Sequence, residues 1–270
     1  MRSIAFYGEA GAYTEQAAMQ VFGTRAKYLP RTYISEVFSA VEGGVDCGVV
    51  PIENSIEGAV TQTYDQFVGA RLYVTGEIIL RINHCLIALP GVKIGSVRKV
   101  YSHPQALGQC RKYLEKLKVE AVPFYDTAGS VRMLKEEGLR DSAAIASAKA
   151  AEIYGMNIIA RNIAQNKHNY TRFFIVSRKP AMKRGNKTSI IFTIKNYPGA
   201  LYHALNAFAE SKIDLTYIQS RPVQGQPWKY NFYADFRGDR GDEGVQKALM
   251  LLRKSTKYIR VLGSYRKAKQ

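Results

Sequence analysis

Cysteine is scarce in this chain, and the cysteines that are present form no recognisable site. Their number is odd, three, and none are spaced as CxxC, so neither a disulfide framework nor a zinc site is expected. Long apolar runs are also missing, since no window approaches the roughly 20 apolar residues of a membrane span. The N-terminus leads directly into SIAFYG, without the apolar core of a secretory signal. We therefore expect a cytoplasmic protein that makes no membrane contact.

Acidic residues are few, with 22 Asp and Glu against 39 Lys and Arg, and the formal net charge is +17. Such a charge raises nucleic acid as a partner. The basic residues are spread thinly, however, and their densest groups lie beside Pro, Gly or the C-terminus. No recognition-helix pattern accompanies them. We expect solvated linkers rather than a nucleic-acid surface, and a positive field that attracts small dianions.

Several catalytic signatures are absent. The first glycines are spaced Gly8-x-x-Gly11, which is not the dinucleotide fingerprint GxGxxG. The sequence has no P-loop, no G-x-S-x-G elbow and no cysteine next to a plausible catalytic histidine. His84 and His103 have no partner at metal-ligand spacing, and each is more typical of a hydrogen-bonded structural histidine. These absences argue against metal, dinucleotide and covalent chemistry.

The pattern that is present indicates two domains in 270 residues. Strand patterns such as SIAFYG and VDCGVVPI alternate with helical ones, which favours α/β lobes with mainly parallel sheets. A helix is predicted directly after VVPIEN, because Ile56, Val60, Tyr64 and Phe67 follow helical spacing. The charged run SRKPAMKRGNK (177–187) is the predicted linker. Beyond it the order βαββαβ predicts a ferredoxin-like unit.

Short polar side chains cluster where predicted strands lead into helices, which is where α/β proteins collect ligands. Each group could be no more than a helix cap. Together, hydroxyls and free helix amides would also suit an anion. The three groups are Glu53, Asn54 and Ser55 in PIENSIEG; Ser102, His103 and Gln105 in YSHPQA; and Asp126, Thr127 and Ser130 in YDTAGS.

The segment HNYTRFF (168–174) sets a hydroxyl and a permanent charge into a strand pattern. Thr171 and Arg172 are adjacent, so on a regular strand their side chains point to opposite faces. Either the backbone bends there or only one of the two contacts a substrate directly. Arg172 could instead form a structural ion pair.

In combination these segments resemble the prephenate dehydratase family over essentially the whole chain. The resemblance rests on GxxGxYTxQAA, VVPIENSIEG, INHCLIAL, SHPQALGQC, TAGS and NYTRFF, followed by PGALYHAL and QSRP. It implies a two-lobed catalytic domain resembling periplasmic binding proteins, at 1–180, with lobe 1 at about 1–76 and 165–180 and lobe 2 at about 77–164. It also implies a ferredoxin-like ACT regulatory domain at 187–270.

The resemblance implies a lyase that converts prephenate to phenylpyruvate in phenylalanine biosynthesis, without metal or organic cofactor. Phenylalanine would be the feedback inhibitor, and the chain would form a homodimer or homotetramer. Carried over by motif, the catalytic residues are Thr171, Arg172 and Phe173. The substrate-binding residues are Glu53, Asn54, Ser55, His84, Ser102, Gln105 and Thr127, and the phenylalanine-binding residues are Gly199, Ala200, Leu201, Ser220 and Arg221.

Some alternatives stay open at this point. The family's usual ESRP is QSRP here, so Gln219 replaces a glutamate and the strength of feedback is uncertain. The general acid is unassigned: Thr171 would hydrogen-bond the leaving hydroxyl, and His84 or Glu53 are lesser candidates. Arogenate is the rival substrate. A catalytically silent amino-acid-binding regulator is the rival of another class.

Overall fold

Three β-sheets and the helices between their strands make up the part of the chain that is described in this computed structural model, residues 1–195 and 197–268. The strands are β1 (Ser3–Tyr7), β2 (Lys27–Arg31), β3 (Cys47–Asn54), β4 (Gly58–Ala59), β5 (Tyr73–Arg81), β6 (Cys85–Ala88), β7 (Lys99–Ser102), β8 (Glu120–Pro123), β9 (Ser142–Ala146), β10 (Asn157–Ala160), β11 (Tyr170–Ser177), β12 (Lys187–Ile194), β13 (Leu215–Pro222), β14 (Tyr230–Arg237) and β15 (Thr256–Tyr265). The helices are α1 (Tyr13–Phe22), α2 (Ile34–Glu42), α3 (Thr61–Gly69), α4 (Pro104–Gln109), α5 (Arg111–Leu117), α6 (Thr127–Glu137), α7 (Ala148–Tyr154), α8 (Ala200–Glu210) and α9 (Glu243–Ser255), with one 3₁₀ turn at Ile94–Ser96.

The first sheet has the strand order β2-β1-β3-β11-β5, and β4 pairs with β3. Its inner strands are apolar on both faces: β3 is buried at all but one position and β11 at six of its eight. A strand that is buried on both faces needs such a continuous apolar run. β3 and β11 are neighbours, and each carries polar residues of the predicted site at one end.

The second sheet has the order β10-β6-β9-β7-β8. β7 pairs in parallel with β8 and β9, whereas β6 pairs antiparallel with β9 and β10. The expectation of a mainly parallel sheet is therefore wrong here. β6 and β10 are the strands by which the chain enters and leaves this sheet. Helices cover both faces, because Leu86 and Ile145 belong to one apolar cluster while Ile87 and Ala144 belong to another.

The third sheet has the order β13-β14-β12-β15, and each neighbouring pair of strands is antiparallel. Helices α8 and α9 pack on one face through a shared apolar cluster that includes Phe192, Phe208 and Leu249. The predicted βαββαβ unit is confirmed, and with the two α/β sheets it confirms the predicted fold class. The preceding segment 178–186 contains no helix or strand, as predicted for a linker.

By its internal contacts the chain divides into two compact units. The first comprises Met1–Val37, Val49–Gly58 and Ile79–Phe173, and the second Phe38–Gly48, Ala59–Ile78 and Phe174–Gln270. Helix α3 belongs to the second unit because Tyr64 stacks on Tyr217 and Asp65 is ion-paired with Arg221. The predicted domain limits near 180 and 187 follow chain order rather than these contacts, and they stay a prediction.

The helix predicted directly after VVPIEN begins later than expected. Residues 55–57 form a turn, Gly58–Ala59 form β4, and α3 begins only at Thr61. The cause is Asn54, whose Oδ1 accepts hydrogen bonds from the backbone N–H groups of Ile56 and Glu57 at 3.0 and 3.1 Å. Gly58 then takes φ +81°, which glycine adopts without strain. The helical spacing of Ile56 and Val60 was therefore misleading.

Candidate active site

Asn54 and Thr171 lie side by side on the neighbouring strands β3 and β11. Asn54 Nδ2 lies 3.0 Å from Thr171 Oγ1. On the same two strands, Glu53 contacts Arg172 and the backbone N–H of Ser55 bonds the carbonyl of Tyr170, so residue numbers rise along one strand as they fall along the other. Asn54 is 6% and Thr171 9% exposed. The two residues therefore meet in a site that is almost closed to solvent.

The orientation of the Asn54 amide is determined by the backbone. Its oxygen faces the N–H groups of Ile56 and Glu57, which can only donate. Its nitrogen therefore faces Thr171 and donates to the hydroxyl oxygen. A hydroxyl has one hydrogen, which this bond does not use. Thr171 thus keeps its own O–H available to donate to a bound molecule.

A chain of amides continues from Asn54 to the end of α4 and the residue before β6. Asn54 Nδ2 donates to Asn169 Oδ1 at 2.8 Å, and Asn169 Nδ2 donates to Gln109 Oε1 at 2.8 Å. His84 Nε2 lies 3.0 Å from the same Gln109 oxygen, and Tyr13 Oη lies 3.0 Å from His84 Nδ1. Asn169 has no exposed surface and His84 is 3% exposed. We call Asn54, Asn169, Gln109 and His84 the amide relay.

His84 is held neutral by its surroundings. Burial lowers the pKa of its imidazole, and the hydrogen bond to Gln109 opposes that shift only in part. Because the Gln109 oxygen accepts, the neutral ring carries its hydrogen on Nε2. A neutral imidazole with its proton already committed is a poor general acid. The geometry therefore favours Thr171 over His84 as the donor to a leaving group.

Arg172 and Phe173 lie elsewhere around the same strand. Arg172 Nε bonds Glu53 Oε2 at 3.0 Å, with the Arg side chain 9% and the Glu side chain 34% exposed. The ring of Phe173 is almost completely buried at 1% exposure. The alternation of the strand thus separates Thr171 from Arg172, and β11 continues through both residues without a bend that brings them together. That only one of the two contacts a substrate directly stays a prediction.

The predicted hydroxyls are used unequally by the fold. Ser55 Oγ donates to the His168 carbonyl and accepts from the Tyr170 N–H, at 3.1 and 2.9 Å. Ser102 Oγ donates to the Ile145 carbonyl at 2.6 Å and is fully buried. Both hydroxyls are therefore occupied within the protein. Gln105 and Thr127 lie in the first turns of α4 and α6 and are partly exposed, at the ends of strands of the second sheet.

A second polar cluster lies at the ends of β1, β7 and β8. Glu9 Oε1 accepts from Tyr125 Oη at 2.8 Å and lies 3.3 Å from Arg132. Burial, reinforced by Glu9, raises the pKa of Tyr125 to about 12. Asp126 caps α6 through the Gly129 N–H, and burial raises the pKa of its carboxyl while it lowers that of His103. This cluster adds a capped helix start at the end of β8.

The predicted regulatory residues lie at two places in the third sheet. Gly199 has φ +84° and begins α8, with Ala200 buried and Leu201 36% exposed. Ser220 and Arg221 alternate on β13, so Ser220 is exposed while Arg221 faces α3. Arg221 holds Asp65 with two bonds of 2.7 and 3.1 Å.

Reasoning from the sequence missed three residues of this site: Asn169, Gln109 and Tyr13. Asn169 could have been found, because it is two residues before Thr171 and side chains at that spacing share a face of a strand. Gln109 lies within SHPQALGQC but contacts Asn169, 60 residues away in sequence. No local pattern predicts a contact of that kind. Among the described residues, no group of three or more His, Cys, Asp or Glu could hold a metal ion.

Comparisons with known proteins agree with the resemblance. The sequence profile described as PDT, prephenate dehydratase, matches residues 4–181. Arogenate dehydratase/prephenate dehydratase 2, chloroplastic, of Arabidopsis thaliana is 41% identical over 97% of this chain and 72% of its own length. The bifunctional chorismate mutase/prephenate dehydratase of Aquifex aeolicus is 42% identical, over 98% of this chain and 74% of its own length.

Solved structures agree over nearly the full chain. Prephenate dehydratase from Arthrobacter aurescens in complex with L-Phe is 34% identical, with a TM-score of 0.89 over 98% of this chain and 89% of that one. A structure described as GqqA, a novel type of quorum quenching acylase, is 33% identical with the same TM-score, over 98% and 97% of the two chains. The family profile and the curated relatives together confirm the resemblance seen in the motifs. The chain belongs to the prephenate dehydratase family.

Proposed function

We propose that this protein is a lyase that dehydrates and decarboxylates prephenate to phenylpyruvate, a step in L-phenylalanine biosynthesis. One observation carries the proposal at the level of the site. The Thr171 hydroxyl accepts a hydrogen bond from an amide that the backbone holds in one orientation, so its own hydrogen is free to donate. Membership of the family supplies the reaction class.

The reaction requires that the protein position the substrate and supply one hydrogen-bond donor to the leaving hydroxyl. The ring hydroxyl of prephenate leaves as hydroxide, which takes a proton from solvent to become water. The ring carboxylate leaves as carbon dioxide, and the electrons of its broken C–C bond make the ring aromatic. Aromatisation drives the step, so no electron acceptor is needed. The hydroxyl leaves more readily when a donor stabilises the charge that develops on its oxygen. Such assistance is typically worth about 10² to 10⁴ in rate.

Thr171 is the proposed donor because the other candidates are less suited. The His84 proton is committed to Gln109, and burial lowers the pKa of this ring. Glu53 is paired with Arg172 beside the strand, away from the Thr171 hydroxyl. A threonine hydroxyl is a weak acid, so it acts through a strong hydrogen bond rather than by full transfer of its proton. This interaction strengthens as charge builds on the leaving oxygen.

Neutral donors suit the ring carboxylate better than a cation does. A bidentate arginine would stabilise the very group that must leave, which favours the ground state. Arg172 is engaged by Glu53, so we assign it a positioning role on β11 and give Phe173 the role of packing that strand. Gln105 and Thr127 are the proposed substrate donors. Both hydrogens of the Asn54 amide are held by Asn169 and Thr171, so we give Asn54 the role of orienting Thr171. Ser55 and Ser102 support the surrounding backbone.

We further propose that the βαββαβ unit is an ACT domain that binds phenylalanine and inhibits the enzyme. The start of α8, with Gly199, Ala200 and Leu201, is a helix N-terminus, which suits an amino-acid carboxylate, although the Ala200 N–H is already bonded to the Tyr197 carbonyl. Ser220 and Arg221 on β13 complete the proposed site. A related prephenate dehydratase was solved in complex with L-Phe, which supports this assignment. The proposed enzyme is a cytoplasmic homodimer or homotetramer. Within residues 1–195 and 197–268, no helix has the length and apolar character to cross a membrane.

Arogenate is the second candidate substrate, because relatives such as the Arabidopsis protein carry both activities in their names. Arogenate differs by an ammonium group in place of the keto oxygen. Acylase activity, the activity of one structural relative, fits this site less well. An acylase needs a base that removes a proton from its nucleophile. The side-chain partner of Thr171 is an amide nitrogen, which cannot take a proton.

The test is direct detection of product by ultraviolet absorbance. Purified protein is mixed with prephenate, with arogenate, and with an N-acylated amine in separate assays, each with and without phenylalanine. We expect phenylpyruvate from prephenate and inhibition by phenylalanine. Faster turnover of arogenate would reassign the substrate, and release of a fatty acid without either product would overturn the lyase assignment.

A further inference from the structure

Asn169 is fully buried and uses both ends of its amide, yet the chemistry above gives it no direct role. We propose that Asn169 is a positioning residue with two effects. Its oxygen holds the Asn54 amide in line with Thr171, and its nitrogen sets which nitrogen of His84 carries the proton. The first effect rests on the proposed function, whereas the second can be measured without any substrate.

The hold on Asn54 follows from counting its hydrogens. The Asn54 nitrogen has two, and its partners are Asn169 Oδ1 at 2.8 Å, Thr171 Oγ1 at 3.0 Å and the Tyr170 carbonyl at 3.3 Å. The bond to Asn169 is the shortest of the three and lies entirely in the buried interior. With one hydrogen held by Asn169, the other remains directed at Thr171. The Ile56 and Glu57 N–H groups hold only the oxygen of this planar amide, so loss of the Asn169 oxygen would let the whole group rotate about its Cβ–Cγ bond and direct its hydrogen towards the Tyr170 carbonyl.

The effect on His84 follows from the polarity of successive amides. A primary amide has one accepting and one donating end, so the orientation of one member fixes the next. Asn54 donates to Asn169, Asn169 therefore donates to Gln109, and the Gln109 oxygen accepts. That oxygen also faces His84 Nε2, which must then carry a proton. On the other side of the ring, the Tyr13 hydroxyl lies 3.0 Å from His84 Nδ1 and 2.7 Å from the Asn83 carbonyl. A neutral His84 therefore requires that Tyr13 gives its single hydrogen to Nδ1 rather than to Asn83.

Glu57 contacts the nitrogen end of the Gln109 amide, whereas Asn169 contacts its oxygen end, and the two hydrogen bonds differ in strength. Gln109 Nε2 lies 3.4 Å from Glu57 Oε1 in a part-buried position, whereas Asn169 approaches Gln109 Oε1 at 2.8 Å in a buried one. A short bond in a water-free interior outweighs a long one near solvent. Asn169 is therefore the member that decides the direction of Gln109.

The spectroscopic test uses protein labelled with ¹⁵N-histidine, in which the two ring nitrogens of a neutral imidazole give well-separated signals. The chain has four histidines, and His84→Gln identifies the signal of interest. We expect the proton on Nε2 in the unmodified protein. A proton on Nδ1 alone would overturn the proposed direction of the relay. A doubly protonated ring at pH 7 would overturn the neutral state of His84, and with it the second effect of Asn169.

Asn169→Asp reverses the relay only when the new carboxyl is ionised, and its ¹³C signal reports that state. A neutral carboxyl still donates to Gln109, so the proton must stay on His84 Nε2. An ionised one cannot donate, so Gln109 turns and the proton must move to Nδ1. An ionised carboxyl with the His84 proton still on Nε2, or a neutral carboxyl with that proton on Nδ1, contradicts the proposal. A doubly protonated ring beside an ionised Asp also contradicts it, because that is charge pairing rather than amide reversal.

Kinetics test the hold on Asn54. Asn169→Leu removes the acceptor, so we expect kcat for prephenate to fall at least tenfold while KM changes less than threefold. Asn169→Asp keeps an acceptor and should retain most of kcat. Asn166→Asp is the matched control, since Asn166 is exposed and its oxygen caps only the His168 N–H. Equal kcat in the Leu variant, or an equal loss in the Leu and Asp variants, would refute the first effect.

A failure of the proposed function would look different. In that case the unmodified protein shows no turnover of prephenate, and the ¹⁵N signals of His84 still decide the second effect. If Asn169→Leu does not fold, the Asp variant and the unmodified protein still test the relay.

Discussion

Replacing Thr171 with valine tests the proposed chemistry most directly, because the two side chains have nearly the same shape. The substitution removes one hydroxyl that is 9% exposed and leaves Asn54 Nδ2 with Asn169 Oδ1 and the Tyr170 carbonyl as partners. Leaving a buried donor without a partner costs about 1 to 3 kcal/mol of stability. Since those two partners remain, we expect the lower end of that range, which preserves the fold.

The loss in catalysis should be larger than the loss in stability. Removing one preorganised donor to a developing charge costs about 10² to 10³ in kcat, and loss of acid assistance costs about 10² to 10⁴. We therefore expect kcat to fall at least a hundredfold in the valine variant, with KM nearly unchanged. Thr171→Ser keeps the hydroxyl but frees its rotation, so it should retain kcat within about tenfold.

The assay follows phenylpyruvate formation at saturating prephenate, with the midpoint of urea unfolding measured on the same samples. The result that refutes the reasoning is a valine variant with full turnover. A serine variant as inactive as the valine variant would also refute it, because it would mean that shape rather than the hydroxyl matters. A shared loss of folding would show in the urea midpoints.

Three further predictions concern features around the site. Arg172→Met should lower the unfolding free energy by about 1 to 3 kcal/mol, between the values for exposed and buried ion pairs, because Glu53 is partly exposed. A double-mutant cycle with Glu53→Gln, measured by urea unfolding, should give a positive coupling energy, and strict additivity would contradict the pairing. Burial raises the pKa of Asp126 in the folded protein above its ordinary value of 3.8, so the ionised carboxylate lowers stability at neutral pH. Asp126→Asn should therefore raise the midpoint of urea unfolding at pH 7, and the gain should shrink as the pH approaches 4. A gain that does not change with pH would mean that the buried charge is not its cause. Gly199→Ala should weaken phenylalanine inhibition at least tenfold. Gly225→Ala is the control, because it strains a similar left-handed backbone in an exposed turn, and it should leave the inhibition curve unchanged. Equal effects of the two substitutions would mean that backbone strain alone weakens inhibition.

Much of the fold could be predicted because its periodicities are local. The strand at 170–177 and the βαββαβ order follow from the spacing of apolar residues within each segment. The helix after Asn54 was misplaced because a side-chain-to-backbone turn competed with the helical pattern. Such local hydrogen bonds override apolar spacing, which cannot show them.

The site was predictable only in part, for a different physical reason. Thr171 and Asn54 belong to recognisable motifs, but their bond joins residues 117 apart in sequence. Asn169 was within reach of the strand's period of two, since it shares a face with Thr171. Gln109 ends helix α4 and His84 lies just before β6, so their contact with Asn169 and with each other depends on tertiary packing. Long-range polar contacts of this kind leave no periodic signal.

The alternation of β11 also bears on how a doubly negative substrate is held. Thr171 and Arg172 are adjacent on one strand but have different partners. The Thr171 hydroxyl accepts a hydrogen bond from Asn54 of the amide relay, and the Arg172 guanidinium is ion-paired with Glu53. If prephenate is the substrate, we expect its ring carboxylate to meet neutral groups near Thr171, such as Gln105 or the first turn of α6, rather than Arg172. Neutral donors stabilise a carboxylate less than a guanidinium does. That difference favours departure of the ring carboxylate, because binding that is weaker in the ground state than in the transition state raises kcat.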